Sequence, residues 1–289
     1  MAAGRQSRQL CNFLRFSRGR YSTIKEEITH FGFETISKKE KSERVHHVFE
    51  NVALKYDLMN DLMSGGIHRT WKDYFIRKIN PCYGNKLLDV AGGTGDIAMR
   101  YLNFIKYNQW EKKKKEKWGE MSQGKRSEII VCDINQAMLD VGKRKAKRFG
   151  IENDIAWVCG NGEALPFEDN TFDIYTIAFG IRNFTNVEKA LEEAHRVLVP
   201  GGRFMCLEFS AVTTPIFERL YEMYSFQVIP VMGQIIAKDW DSYQYLVESI
   251  RQFPNQDEFA SLIRDSGFRM VNYENLTFGV AAIHSAFKL

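Results

Sequence analysis

Residues 86–96 read KLLDVAGGTGD: an apolar run, then three glycines within four positions, then an acid that can open a helix. Leu87, Leu88 and Val90 suit a buried strand. Gly92, Gly93 and Gly95 let the backbone turn tightly and lie against a ligand where a Cβ would intrude. Strand, glycine turn and helix in this order form the opening unit of a doubly wound nucleotide-binding sheet. Alone the pattern fits many nucleotide-binding turns, so the flanking sequence decides between them.

Downstream, strand and helix signals alternate. EIIVCDI (128–134) is a second strand, and Asn135 is the N-cap of a helix that stops at Gly150. IAWVCGNG (155–162) and FDIYTIAFGI (172–181) are the third and fourth strands. Asn186 caps a helix with apolar positions at Val187, Ala190, Leu191, Ala194, Val197 and Leu198, read as ending at Pro200-Gly201-Gly202. RFMCLEFS (203–210) is the fifth strand. After a helix at 256–266, FRMVNYENLTFGVAAIHSAFK (268–288) holds two strands that turn near Gly279. So short a connection permits only an antiparallel pair. The prediction is an α/β fold with a seven-stranded, mostly parallel sheet, an antiparallel last strand and helices on both faces. It resembles the class I methyltransferase variant of the Rossmann-like fold, with added helical cap segments.

In dinucleotide enzymes an acid about 20 residues beyond the glycines binds ribose. Asp133 is the matching acid here, displaced by a lysine-rich insertion loop at 106–127. Asn135 already serves as helix cap, which leaves Asp133 for ribose. The class resemblance implies that the GNGEALPF turn (160–167) meets adenine through Asn161 and Gly162, while Gly92 and Thr94 line the glycine turn. With no second, pyrophosphate-binding half, it implies S-adenosyl-L-methionine rather than NAD.

Upstream, Val45, Val48, Phe49, Val52, Tyr56, Met59 and Met63 keep helical spacing, threaded with Asp57, Asn60 and Asp61. Gly65-Gly66 breaks the pattern, and Ile67, Trp71, Tyr74 and Phe75 resume it before Asn80-Pro81. YDLMNDLMSGGIHRTW (56–71) and RVLVPGGRFMCLEFS (196–210) resemble the two signatures of the ubiquinone/menaquinone-biosynthesis C-methyltransferases. Val199 stands where that family commonly has lysine. FGIRNFTN (179–186) and the terminal FGVAAIHSAFK are also family-like, and the resemblance runs from about residue 43 to the end, outside the insertion.

The resemblance implies C-methylation of a polyprenylated benzoquinol in ubiquinone synthesis. The 43–80 hairpin, with methionines as an adaptable apolar wall, and the segment 213–245 are expected to enclose the acceptor. A phenol has a pKa near ~10, so the acceptor needs a base or a nearby cation. Arg182 is expected to stabilise the phenolate, with a structural anion pair as its alternative role, and the proton is routed through water held by Tyr56 and Asn183. His68 is a second proton-acceptor candidate, with an interhelical hydrogen bond as its alternative role.

The formal charge of +4 is misleading. Residues 1–21 hold five arginines and no acid, with an apolar face of Leu10, Phe13 and Leu14, the character of a mitochondrial transit peptide. Without them, 35 basic residues face 36 acidic ones, and the insertion concentrates the remaining basicity. No broad basic face is left for nucleic acid. Residues 22–42 are expected as a flexible segment and 43–289 as the methyltransferase domain. Five scattered cysteines without metal-ligand spacing suggest a reducing compartment and no metal site. No stretch approaches the ~18 apolar residues of a membrane span. The expected location is therefore the matrix side of the inner mitochondrial membrane, held peripherally, beside other enzymes of a coenzyme Q biosynthesis complex and in a possible homodimer. Two alternatives stay open: methylation of a demethylmenaquinol, against which the leader speaks, and a structural role in a quinone-synthesis assembly.

Overall fold

The computed structural model describes residues 28–52, 60–61, 64–115, 127–237 and 240–289. It begins with a hairpin of β1 (Ile28–Phe31) and β2 (Glu34–Ser37), followed by α1 (Lys38–Val52) and α2 (Ile67–Ile79). The stretch 22–42, expected to be flexible, is therefore ordered from Ile28 onward. Tertiary contacts explain the departure: Phe31 stacks on Tyr245 with ring centroids 4.0 Å apart, and Ile36 is buried. The leader (1–21), Tyr56, Met59, Met63 and residues 116–126 of the insertion lie outside the described residues.

The main sheet starts with β3 (Lys86–Val90), α3 (Asp96–Lys115), β4 (Glu128–Asp133), α4 (Gln136–Arg148) and β5 (Ala156–Cys159). It continues through β6 (Phe172–Ala178), α5 (Val187–Val197) and β7 (Leu198–Phe209). The cap follows as α6 (Pro215–Met223), α7 (Ile229–Ala237) and α8 (Trp240–Gln252), and the chain ends with α9 (Gln256–Asp265), β8 (Arg269–Leu276) and β9 (Ala281–Phe287). Strand order is β5-β4-β3-β6-β7-β9-β8; β9 lies antiparallel between β7 and β8, and the first five strands are parallel. This is the seven-stranded arrangement expected from the sequence.

Strand residues alternate between two cores, which is why KLLDV is apolar almost throughout. Leu87 faces α2, α3 and α4, joining Phe75, Tyr101 and Leu139. Leu88 faces α5 and α9, joining Leu191, Phe259 and Phe268. Asn135 Oδ1 accepts from Met138 N–H at 3.2 Å, and Asn186 Oδ1 from Lys189 N–H at 2.9 Å, so both predicted N-caps form. Two boundaries differ from the expectation. Helix α3 runs on to Lys115, into the predicted insertion loop, because lysine and glutamate sustain a helix. Helix α5 stops at Val197 and β7 begins at once, with Pro200-Gly201-Gly202 inside the strand where its register against β6 shifts. In the cap, the chain widens into a π-helical turn at Tyr224–Val228. That is the turn beneath Pro230, which lacks an N–H and crowds the carbonyl four residues back.

His284, buried in β9, donates from Nε2 to the Gln256 carbonyl at 3.0 Å. Burial pulls its pKa from 6.5 to about 4. Between these values the unfolded chain binds a proton that the folded chain refuses. The stability this group supports is present above about 6.5 and lost as pH falls toward 4. Urea melts from pH 7 to 4 should show a shallower loss for His284→Gln than for the parent, by on the order of 3 kcal/mol. Parallel pH curves would remove His284 as a source of acid sensitivity.

Candidate active site

The carboxyl ends of β3 to β6 open into a cleft of about 150 Å³ lined by all five residues expected at the cofactor: Gly92, Thr94, Asp133, Asn161 and Gly162. Asp133 Oδ2 accepts from Gly93 N–H and its Oδ1 from Asn135 N–H, both at 2.8 Å. The carboxylate is thus aimed, while each oxygen keeps a lone pair for a further donor. Burial raises its pKa against the pull of those two N–H groups. A Cβ on Gly92 would lie 2.8 Å from both Asp89 Oδ2 and Val131 Cγ1, and one on Gly162 would lie 2.6 Å from the Phe184 ring. Glycine is therefore required at both positions by the close packing of the cleft's own walls. Asn161 Oδ1 accepts from Glu163 N–H at 2.9 Å, which closes the turn after β5 and leaves its amide nitrogen for a ligand.

Asp89 was missed as a site residue. Its Oδ1 accepts from Thr176 Oγ1 at 2.8 Å, and its fully buried Oδ2 has no partner among the described residues. Burial pushes its pKa up to about 7. The signal in the sequence was a lone acid within KLLDV. An orphan carboxylate oxygen beside a glycine cradle suits a ligand that carries positive charge and lies against backbone, as S-adenosylmethionine does. Helix α1 closes the cleft from above with Ser42, Val45 and His46. Lys41 latches it by donating to the Phe184 carbonyl at 2.7 Å, and burial draws that lysine's pKa to about 8.

A second cavity, of about 370 Å³, lies between α2 and the cap and is walled by Trp71, Phe209, Tyr221, Ile229 and Tyr243. The hairpin and the 213–245 segment thus enclose one apolar space, as the sequence reading expected. Phe179 and Lys72 belong to the walls of both cavities. Lys72 Nζ donates to Asp96 Oδ2 at 2.8 Å. Burial opposes the ionised Asp96, but Lys72 and Arg100 prevail and bring its pKa to about 2.

Arg182 lines the larger cavity, yet its charge already has a partner: Nη1 donates to Glu208 Oε1 at 2.8 Å and to the Phe179 carbonyl at 2.7 Å. Both side chains are almost wholly buried, at 4% and 1% exposure. This is the structural ion pair that the sequence left open as Arg182's alternative role. The reason is Glu208, which β7 places opposite Arg182 and which cannot remain charged there alone. Asn183 lies on the cofactor side, and its Oδ1 accepts from Tyr245 O–H at 3.0 Å. Tyr56, its expected companion, is outside the described residues.

A cleft at the carboxyl ends of the strands in a β5-β4-β3-β6-β7-β9-β8 sheet is the arrangement of a class I S-adenosylmethionine-dependent methyltransferase. A SAM-dependent methyltransferase of Thermotoga maritima shares the fold, with a TM-score of 0.56 over 84% of this chain and 99% of that one at 17% identity. The family model of the ubiE/COQ5 methyltransferases matches residues 37–288, and the chain belongs to that family. The mitochondrial 2-methoxy-6-polyprenyl-1,4-benzoquinol methylase of Bos taurus is 57% identical over 276 residues, covering 90% of this chain and 84% of that one. Its Xenopus laevis counterpart is 52% identical over 292 residues, covering 96% and 94%.

Asp133→Ala should weaken S-adenosylmethionine binding by about 1.5–3 kcal/mol, the scale of hydrogen bonds to a charged group. Calorimetric titration of the folded variant is the measurement, and an unchanged dissociation constant would take Asp133 out of the site. Arg182→Ala should destabilise the protein by about 3–5 kcal/mol, because it strands Glu208 as a buried charge. Chemical denaturation that matched the parent would mean the pair is not what holds this region.

Proposed function

We propose that this chain methylates a ring carbon of a 2-methoxy-6-polyprenyl-1,4-benzoquinol in ubiquinone synthesis, at the matrix face of the inner mitochondrial membrane. The observation that carries the reading is the apolar cavity that meets the cofactor cleft at Phe179 and Lys72. Its aromatic and aliphatic walls suit a substituted ring with a prenyl tail. The benzoquinol named for the relatives from Bos taurus and Xenopus laevis has those features.

S-adenosylmethionine supplies a methyl group already activated by its sulfonium. Gly92, Thr94, Asp133, Asn161 and Gly162 hold it, and Asp89 meets its positive charge. The chain's remaining task is to align the acceptor carbon, exclude water and remove a phenolic proton. Phe179 and Trp71 shape the neck where the reactants meet. Arg182 and Asn183 act as positioning residues, the first through the Phe179 carbonyl and the second through Tyr245. Lys72 stands at the neck with its ammonium held by Asp96.

On the outer side of the same cap, Phe217, Met223, Val231 and Trp240 are exposed, and Phe278 stacks on Phe217 with centroids 4.1 Å apart. Such an apolar face suits shallow contact with a bilayer, from which a polyprenyl tail enters the cavity. Among the described residues no helix is long and apolar enough to cross a membrane. The acid-free arginine leader and the relatives' mitochondrial names support the location, with other enzymes of the same synthesis as neighbours.

The test is mass spectrometry of quinone intermediates in mitochondria from cells lacking this protein. An unmethylated methoxyquinol should accumulate and disappear when the full chain is restored. An unaltered quinone profile would sink the assignment.

A further inference from the structure

The sequence left His68 with two roles, proton acceptor or hydrogen-bond partner across the hairpin, and its surroundings bear on both. The Gly65-Gly66 turn, with φ of 56° and 78°, folds residues 60–64 back onto the start of α2. Ser64 Oγ donates to the Asn60 carbonyl at 2.6 Å, because a carbonyl can only accept. Its single proton is thereby spent. The 2.7 Å contact between Ser64 Oγ and His68 Nδ1 then requires the ring to donate. The neutral imidazole carries its proton on Nδ1 and leaves Nε2 without a hydrogen-bond partner among the described residues. That nitrogen lies 3.6 Å from Asp61 Oδ1, beyond hydrogen-bond reach, while both oxygens of Asp61 accept from Arg69. His68 is buried and belongs to the wall of the acceptor cavity, one helical turn before Lys72.

We propose that His68 Nε2 is the base that removes the phenolic proton of the acceptor, with Ser64 fixing its tautomer and Asp61 holding the imidazolium. This rests on the quinol reading above. The O–H bond breaks, its proton goes to Nε2 and its electron pair enters the ring. The ring carbon forms the new C–C bond as the methyl's C–S bond breaks and leaves its pair on sulfur. Water then takes the proton from the methylated carbon, and the imidazolium returns its own to the ring oxygen. One proton is released overall.

Burial lowers the pKa of His68, Lys72 and Arg69 lower it further, and Asp61 and Asp96 oppose them, with a net shift downward from 6.5. Arg182, Tyr221, Tyr224, Tyr243 and Tyr245 line the same cavity from the cap side. Neutral imidazole therefore predominates at pH 7 and above, as a base requires.

The experiment pairs an activity profile with a measurement that needs no acceptor. In single turnover of a short-tailed quinol, the parent rate should rise through a pKa below 6.5 and then level. His68→Ala should lose that plateau, fall ~10²–10⁴-fold at pH 7, bind S-adenosylmethionine as the parent does, and recover with added imidazole. Nitrogen-15 NMR of the parent's histidines should place the neutral proton of His68 on Nδ1, and Ser64→Ala should shift that tautomer. A parent that methylates the quinol but carries the proton on Nε2 overturns the base. So does a His68→Ala variant that keeps the plateau. A parent inactive on every quinol, with the tautomer as described, overturns the substrate instead.

Discussion

Between the two cavities the backbone is held where an L-residue seldom rests: Phe179 has φ 57°. The left-handed region costs roughly 1–2 kcal/mol for a residue with a Cβ, so something must hold it. Its N–H donates to the Leu207 carbonyl at 2.8 Å, and its carbonyl accepts from Arg182, which Glu208 anchors. One buried ion pair thereby holds the backbone of the ring that lines both cavities. Remove it, and the neck between the cavities has no fixed width.

The same economy governs the other charges. Asp96 is shared by Lys72 and Arg100, and Asp61 is taken by Arg69, so the large cavity is bordered by compensated pairs rather than loose ions. A low-polarity chamber strengthens any interaction made inside it and punishes any group left single. Asp89 Oδ2 is a buried carboxylate oxygen with no partner among the described residues, and Asp89 belongs to the lining of the smaller cleft.

The sheet was legible because its signals are local. KLLDV, EIIVCD and FDIYTIA are apolar runs ended by glycine or a cap, and Asn135 and Asn186 announce their helices. That Gly92, Thr94, Asp133, Asn161 and Gly162 would share one cleft was legible for the same reason, since each sits at a strand end and topology alone gathers strand ends. What escaped depends on distant partners. Nothing near Arg182 reveals that Glu208, 26 positions away, will neutralise it. Nothing in ITHFGFETIS reveals that Phe31 will find Tyr245 and turn an apparently slack segment into an ordered hairpin. Asp89 escaped differently: its acid was visible, but an unpaired oxygen is a property of packing.

Because Phe179 and Lys72 belong to both cavities, an occupant of one can act on an occupant of the other through a shared wall. A ring that presses on Phe179 alters the cleft behind it, and a cofactor that engages Lys72 alters the chamber in front. Thermodynamic linkage makes the effect mutual, so whatever factor one ligand applies to the other's affinity is returned in equal measure. Any such coupling would give the methyl donor one dissociation constant with the chamber empty and another with it filled. The ratio of the two measures how far that shared wall moves.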